Sequence, residues 1–111
     1  MILLNYPKKS LGQNFLIDEN IIKKIIAIGE INRDKTVLEI GPGTGRLTDE
    51  IINFKPKKII IVEKDKNLSI KLKEKSNNFK NLKVINADIL NFISGKIEDK
   101  KIVVYGNLPY N

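Results

Sequence analysis

Apolar positions along this 111-residue chain fall into two alternating kinds of run. Ile21, Ile22, Ile25, Ile26 and Ile28 recur at spacings of one, three and four. That spacing marks one face of a helix, with Asp18 as its N-cap candidate and Gly29 near its end. Thr36-Val37-Leu38-Glu39-Ile40 is instead short, β-branched and apolar, and it runs directly into Gly41-Pro42-Gly43-Thr44-Gly45, so a strand ending in a tight loop is predicted. A helix carrying Leu47, Ile51 and Ile52 should follow. The continuous run Ile59-Ile60-Ile61-Val62 predicts a strand covered on both faces, with Glu63 at its exit. A third helix is predicted over 67–76 with Leu68 and Leu72 on one face, then a strand over 83–86 leading to Asp88, then a last strand over 102–105. Residues 1–17, interrupted by Pro7 and Gly12, read as an irregular arm.

Strands alternating with helices imply right-handed crossovers and a parallel sheet whose ligand crevice lies at the carboxyl ends of the strands. The expected fold class is therefore α/β, a Rossmann-like domain over 18–111 preceded by the 1–17 arm. The length allows one domain with a single core.

Composition narrows the chemistry. With 41% hydrophobic and 30% charged residues the chain has the balance of a globular protein. It contains no cysteine and no histidine, which removes disulfides, thiolate nucleophiles, imidazole bases and nearly all zinc chemistry. No metal is expected, and any catalysis has to work by positioning. A cytosine C5 methylation route, which needs a cysteine, is excluded. The net charge is +7, with lysines clustered at Lys8 and Lys9, Lys23 and Lys24, Lys55 to Lys58, and Lys71 to Lys75. Such a balance favours a polyanionic partner, although biased codon usage also enriches lysine, isoleucine and asparagine together. Ile2-Leu3-Leu4 is too short for a signal peptide or a membrane span, so a cytoplasmic location is the default expectation.

The candidate chemistry falls at successive strand ends. Glycines at 41, 43 and 45 let backbone approach a ligand closely, but G-x-G-x-G lacks the dinucleotide spacing G-x-G-x-x-G. With Glu39 two residues before it, the loop suits a cofactor that carries a cationic methionine moiety, which points to S-adenosylmethionine; a tight structural turn is the alternative. Glu63 lies where an acid after the second strand takes both ribose hydroxyls, or else is a solvated charge beside Lys64. Asp88 can accept from an adenine amine or cap a following turn. Asn107-Leu108-Pro109-Tyr110 can grip an aromatic amine. The Asn107 side-chain oxygen and the Leu108 carbonyl would accept its hydrogens, Pro109 would stiffen the backbone, and Tyr110 would stack on the base, worth roughly 1–3 kcal/mol. The alternative is a loop in which Asn107 and Pro109 form a turn.

With those residues in place the chain resembles the ribosomal RNA adenine dimethyltransferase family. The resemblance rests on Lys9-Ser10-Leu11-Gly12-Gln13-Asn14-Phe15-Leu16, on Glu39 to Gly45, on Glu63 and Asp88, and on Asn107 to Asn111. It implies that Asn14 and Leu16 join Gly41, Gly43, Glu63, Asp88 and Asn107 in the cofactor site. It also implies methyl transfer from S-adenosylmethionine to the exocyclic amines of two adjacent adenosines near the 3′ end of small-subunit rRNA. The opening and closing motifs favour the small-subunit branch over the large-subunit, macrolide-resistance branch. Lysines of the arm would contact rRNA phosphates, and a monomer is the expectation. Members of the family carry further strands and a helical C-terminal domain, so the 111 residues are expected to be inactive alone, with the last strand's edge unpaired. A non-catalytic cofactor- or RNA-binding module, an NAD-dependent oxidoreductase and an adenine-specific DNA methyltransferase are the rival readings.

Overall fold

The computed structural model describes residues 2–6, 19–91 and 101–109. Among these residues five strands form one parallel sheet: β1 (Ile2–Tyr6), β2 (Thr36–Ile40), β3 (Lys58–Glu63), β4 (Leu82–Asn86) and β5 (Ile102–Pro109), in the order β1-β5-β2-β3-β4. The helices are α1 (Glu19–Ile28), α2 (Arg46–Asn53) and α3 (Lys66–Lys73), with 3-10 turns at Glu74–Asn77 and Ile89–Asn91.

The alternation along each strand sorts side chains onto two faces. Val37, Ile59, Ile61, Leu82 and Tyr105 face the helices and bury Ile22, Ile25 and Ile26 of α1, Leu47 and Ile51 of α2 and Leu72 of α3. Leu38, Ile40, Ile60 and Val62 form a second cluster on the opposite face, with Ile85, Ala87, Ile89, Ile102 and Val104 against it. The continuous isoleucine run of β3 is thus explained by burial on both sides. α1 departs from the expected stripe at one place, because Ile28 is 68% exposed where the helix ends and the chain turns through Gly29 and Glu30.

The arm also differs from expectation. Residues 2–6 are a strand rather than irregular, and β1 pairs with β5 in parallel from Ile2↔Tyr105 to Tyr6↔Pro109. The edge of β5 expected to be open is therefore covered by backbone from the other end of the chain. A short apolar run satisfies its own amides and carbonyls best by joining a ladder, which outweighs the weak turn signals around it. β5 is correspondingly longer than the 102–105 expected, extending through Pro109. The Asp18 cap lies outside the described residues.

Sheet order places the site. From β2 the chain steps outward through α2 to β3 and through α3 to β4, then returns to lay β5 on the other side of β2. The direction of winding reverses between β2 and β5, and ligands of open parallel sheets bind at such a switch point, beyond the carboxyl ends of the strands.

Candidate functional site

The glycine loop leaves β2 at this switch point. Gly41, Gly43 and Gly45 have φ of 62°, 62° and 88°, the left-handed region that L side chains avoid. A Cβ on Gly43 would meet nothing within 4 Å, so open space lies over the middle of the loop. Gly45 is different. A Cβ there would stand 2.5 Å from Cε of Lys75 and 3.0 Å from Cδ2 of Leu72, so this glycine also lets the end of α3 close onto the loop. Gly45 is also the N-cap of α2.

Two side chains fix the loop from behind. Glu39 is only 1% exposed and points to the helix side of the sheet, where the Thr48 hydroxyl donates to its Oε1. Burial pushes the Glu39 carboxyl up to about 7; the Thr48 bond and the Lys75 charge oppose that shift, while Asp49 and Glu63 add to it. Glu39 is therefore a buried group bonded behind the loop. Lys75 donates to Asp49 Oδ1 at 2.6 Å, tying the turn after α3 to the first turn of α2. Thr48, Asp49 and Lys75 were not legible as site residues, since their partners come together only through packing.

Glu63 is 6% exposed, so it is not a solvated charge. Its Oε2 accepts from the Asp65 N–H at 2.8 Å, a bond that sets the carboxylate's orientation and leaves Oε1 for a further donor. Asp65 in turn caps α3 by accepting from the Leu68 N–H at 3.0 Å. Asp88 Oδ1 accepts from the Leu90 N–H at 3.0 Å and so caps the Ile89–Asn91 turn, while Oδ2 lies 3.6 Å from the Lys64 ammonium. The turn-capping alternative for Asp88 is thus realised in the geometry.

Registers show which of these positions share one end of the sheet. Ile40 pairs with Val62 and with Gly106, and the Gly41 N–H donates to the Val62 carbonyl at 2.9 Å. Gly41 therefore emerges between Glu63 and Asn107. Glu63 pairs with Asn86, two residues before Asp88. Asn107, Leu108 and Pro109 continue β5 beyond the last residue of β2, in the ladder with β1, so the turn alternative for Asn107 and Pro109 does not apply. Tyr110, Asn14 and Leu16 lie outside the described residues.

β5 is anchored from below. Tyr105 is fully buried; its hydroxyl donates to the Ile26 carbonyl at 2.8 Å, across from the end of α1. Burial, and then the nearby Glu39 charge, raise its phenol to about 12, so it stays protonated as a donor. Among the described residues no group of three or more acids could hold a metal ion, and no helix is long and apolar enough to cross a membrane.

Comparison with known proteins agrees with this layout. A family model described as Ribosomal RNA adenine dimethylase matches residues 5–111. A Ribosomal RNA small subunit methyltransferase A of Pelagibacter ubique is 55% identical over 94% of this chain and 38% of its own length. One from Persephonella marina is 43% identical over 95% of this chain and 40% of its own. The chain thus spans about two fifths of the length of the curated relatives it matches. Among solved structures, a dimethyladenosine transferase from Plasmodium falciparum superposes with a TM-score of 0.70 at 30% identity, covering 84% of this chain and 33% of that one. The 23S rRNA methyltransferase ErmE gives 0.75 at 34%, covering 88% and 38%. Fold, strand-end motifs and sequence relatives converge: the chain belongs to the ribosomal RNA adenine dimethylase family.

Proposed function

We propose that this chain is the S-adenosylmethionine-binding part of an rRNA adenine N6-dimethyltransferase that acts on two adjacent adenosines near the 3′ end of small-subunit rRNA. The observation that carries the proposal is the convergence of the glycine loop, Glu63 and Asn107 at the β2/β5 switch point, where β5, β2 and β3 are direct neighbours. The donor set fits the cofactor. Open space over Gly43 admits it, and the oriented Glu63 carboxylate has an oxygen left for ribose hydroxyls. Asn14, Leu16, Gly41, Gly43, Glu63, Asp88 and Asn107 would hold it, the first two on the strength of family resemblance.

When bound, S-adenosylmethionine supplies an electrophilic methyl group on a sulfonium. The chain's own task is to make an adenine amine nucleophilic. Its lone pair is delocalised into the ring, and acceptors at the Asn107 side chain and the Leu108 carbonyl draw on the amine hydrogens so that the pair localises on nitrogen. Bound by the residues above, the cofactor would supply the methyl to the amine nitrogen and keep its sulfur as a neutral thioether, and the amine's proton would pass to water. Pro109 would limit backbone motion at this point, and Tyr110 would stack on the base. No covalent enzyme intermediate is needed, which suits a chain without cysteine or histidine. The small-subunit RNA is favoured as substrate because the cited sequence relatives are small-subunit enzymes.

Calorimetry with S-adenosylhomocysteine and with NAD is the direct test. The expected result is binding of the first and none of the second, with Glu63→Gln weakening it at least roughly tenfold, the worth of one charge-assisted bond. Tight NAD binding in its place would overturn the proposal. Methylation of small ribosomal subunits, lost in Asn107→Ala with RNA affinity retained, separates an enzyme from a binding module.

A further inference from the structure

A hollow of about 430 Å³ opens at the amino-terminal ends of β3 and β4, the end of the sheet opposite to the glycine loop. Lys57, Lys58, Lys80, Asn81, Leu82 and Lys83 line it. Four of the six are lysines and none is acidic.

The platform beneath them is rigid. The Asn81 side-chain amide donates to the Lys57 carbonyl at 3.1 Å, the Ile59 N–H to the Asn81 carbonyl at 3.0 Å, and the Lys57 N–H to the Lys35 carbonyl at 2.9 Å. Lys58 and Lys83 thus extend from neighbouring strands held about 4.8 Å apart. Like charges gathered on one patch repel, and stable surfaces usually intersperse both signs. Two lysines elsewhere in the fold do sit against acids: Lys64 lies near Asp88 and Lys75 bonds Asp49. Nothing in the core calls for the cluster, since Leu82 alone among the six is buried.

We propose that this hollow grips the phosphate backbone of a second segment of the RNA whose adenosine enters the switch-point crevice. The inference rests on the methyltransferase function proposed above and extends it. The chemistry of the lining selects this ligand. Lysine ammoniums are point charges that hold phosphates without the fork geometry of arginine. With no aromatic side chain in the lining there is no platform for a base, so the contact positions RNA without reading sequence. Lys58, Leu82 and Lys83 belong to the ladder, so the charge offered by the lining comes from side-chain ammoniums. Crevice and hollow are diagonal across the sheet. Five residue steps along β3 and three strand spacings from β5 to β4 separate them by on the order of 20 Å. An RNA that reaches both must place phosphate in the hollow at that distance from the adenosine in the crevice.

The test compares the wild type with Lys58→Gln/Lys80→Gln/Lys83→Gln, all exposed positions. Binding to small-subunit rRNA is titrated across a salt series, and S-adenosylhomocysteine binding is measured alongside by calorimetry. The expected result is a log K against log salt slope shallower by about 2 to 3 in the triple variant, from loss of three phosphate contacts, with cofactor binding unchanged. An unchanged slope and affinity overturns the inference, as does a wild type that fails to bind the RNA at low salt. Tripolyphosphate binding that the triple variant loses while its RNA binding is intact also overturns it, in favour of a small-anion site. Loss of the salt slope in a protein that never binds S-adenosylhomocysteine supports the hollow and overturns the methyltransferase proposal instead.

Discussion

Thr48 in the first turn of α2 donates its hydroxyl hydrogen to Glu39 at the end of β2, and this one bond spans the base of the glycine loop. The loop's entry and exit are thereby held at a fixed separation by side chains that never face the crevice. A buried acid at this position has a stability signature.

The Glu39 carboxyl titrates near 7 in the folded chain against 4.5 when free. A raised folded value means that the folded state holds its proton longer, so the stabilising contribution is complete below pH 4.5 and is lost as pH climbs from there to about 7. The loss amounts to about 3 kcal/mol. Urea unfolding of wild type and Glu39→Gln between pH 4 and pH 8 measures it, and the variant should lack this part of the pH dependence. Superimposable profiles would show that Glu39 does not titrate in this range.

Gly43 and Gly45 share a backbone conformation and differ in what surrounds them. Gly43→Ala should cost only the left-handed strain of roughly 1 kcal/mol in thermal or urea unfolding, because its Cβ enters open space. Gly45→Ala adds contact with Leu72 Cδ2 and displaces the end of Lys75, and should cost about 1 kcal/mol more. The order reverses as a selectivity index: relative to its small stability loss, Gly43→Ala should damage S-adenosylhomocysteine binding disproportionately. Equal stability losses for the two variants would contradict the packing of the α3 end on the loop.

A Cβ at Gly29 would stand 2.2 Å from the Tyr105 hydroxyl oxygen and 2.8 Å from Cγ1 of Val103. Gly29→Ala should therefore destabilise by roughly 1–3 kcal/mol through overpacking. Tyr105→Phe alone should cost about 1 kcal/mol or less, since the Ile26 carbonyl keeps the Gly29 N–H as a donor at 3.0 Å. The double variant should recover part of the alanine's cost, because the atom nearest the new methyl is gone. Strict additivity in a double-mutant cycle would refute the contact.

How much of this was legible beforehand depends on the range of the interaction involved. Periodicity and turn chemistry are local, and they located the first helix, the β2 loop and strands β2 to β4 to within a residue or two, while α3 gives way to a 3-10 turn three residues before the expected end. Glu63 was placed by its spacing from the loop, a regularity of the crossover itself. The pairing of β1 with β5 could not be read, because a five-residue apolar run carries no sign of its partner. Nor could the packing of Lys75 on Gly45, since a lysine that folds its stem over a glycine looks in sequence like any other surface charge. Glu39 was read as an acid suited to a cationic ligand, yet it proves to bond Thr48 behind the loop. Its position was informative while its direction depended on which face of β2 met the helices.

The pairing of β1 with β5 also imposes an order on biosynthesis. Of the described strands, the first to be made has no neighbour among them until the last of them is made, and β5 must slot between β1 and β2. At about 5–20 residues per second the intervening chain takes roughly 5–20 s to appear. Throughout that interval Ile2-Leu3-Leu4 is an exposed apolar segment with open hydrogen-bonding groups, a template for intermolecular pairing and a natural target for nascent-chain chaperones. The sheet's most distant partners in sequence are thus also those that leave the newborn protein most open to aggregation.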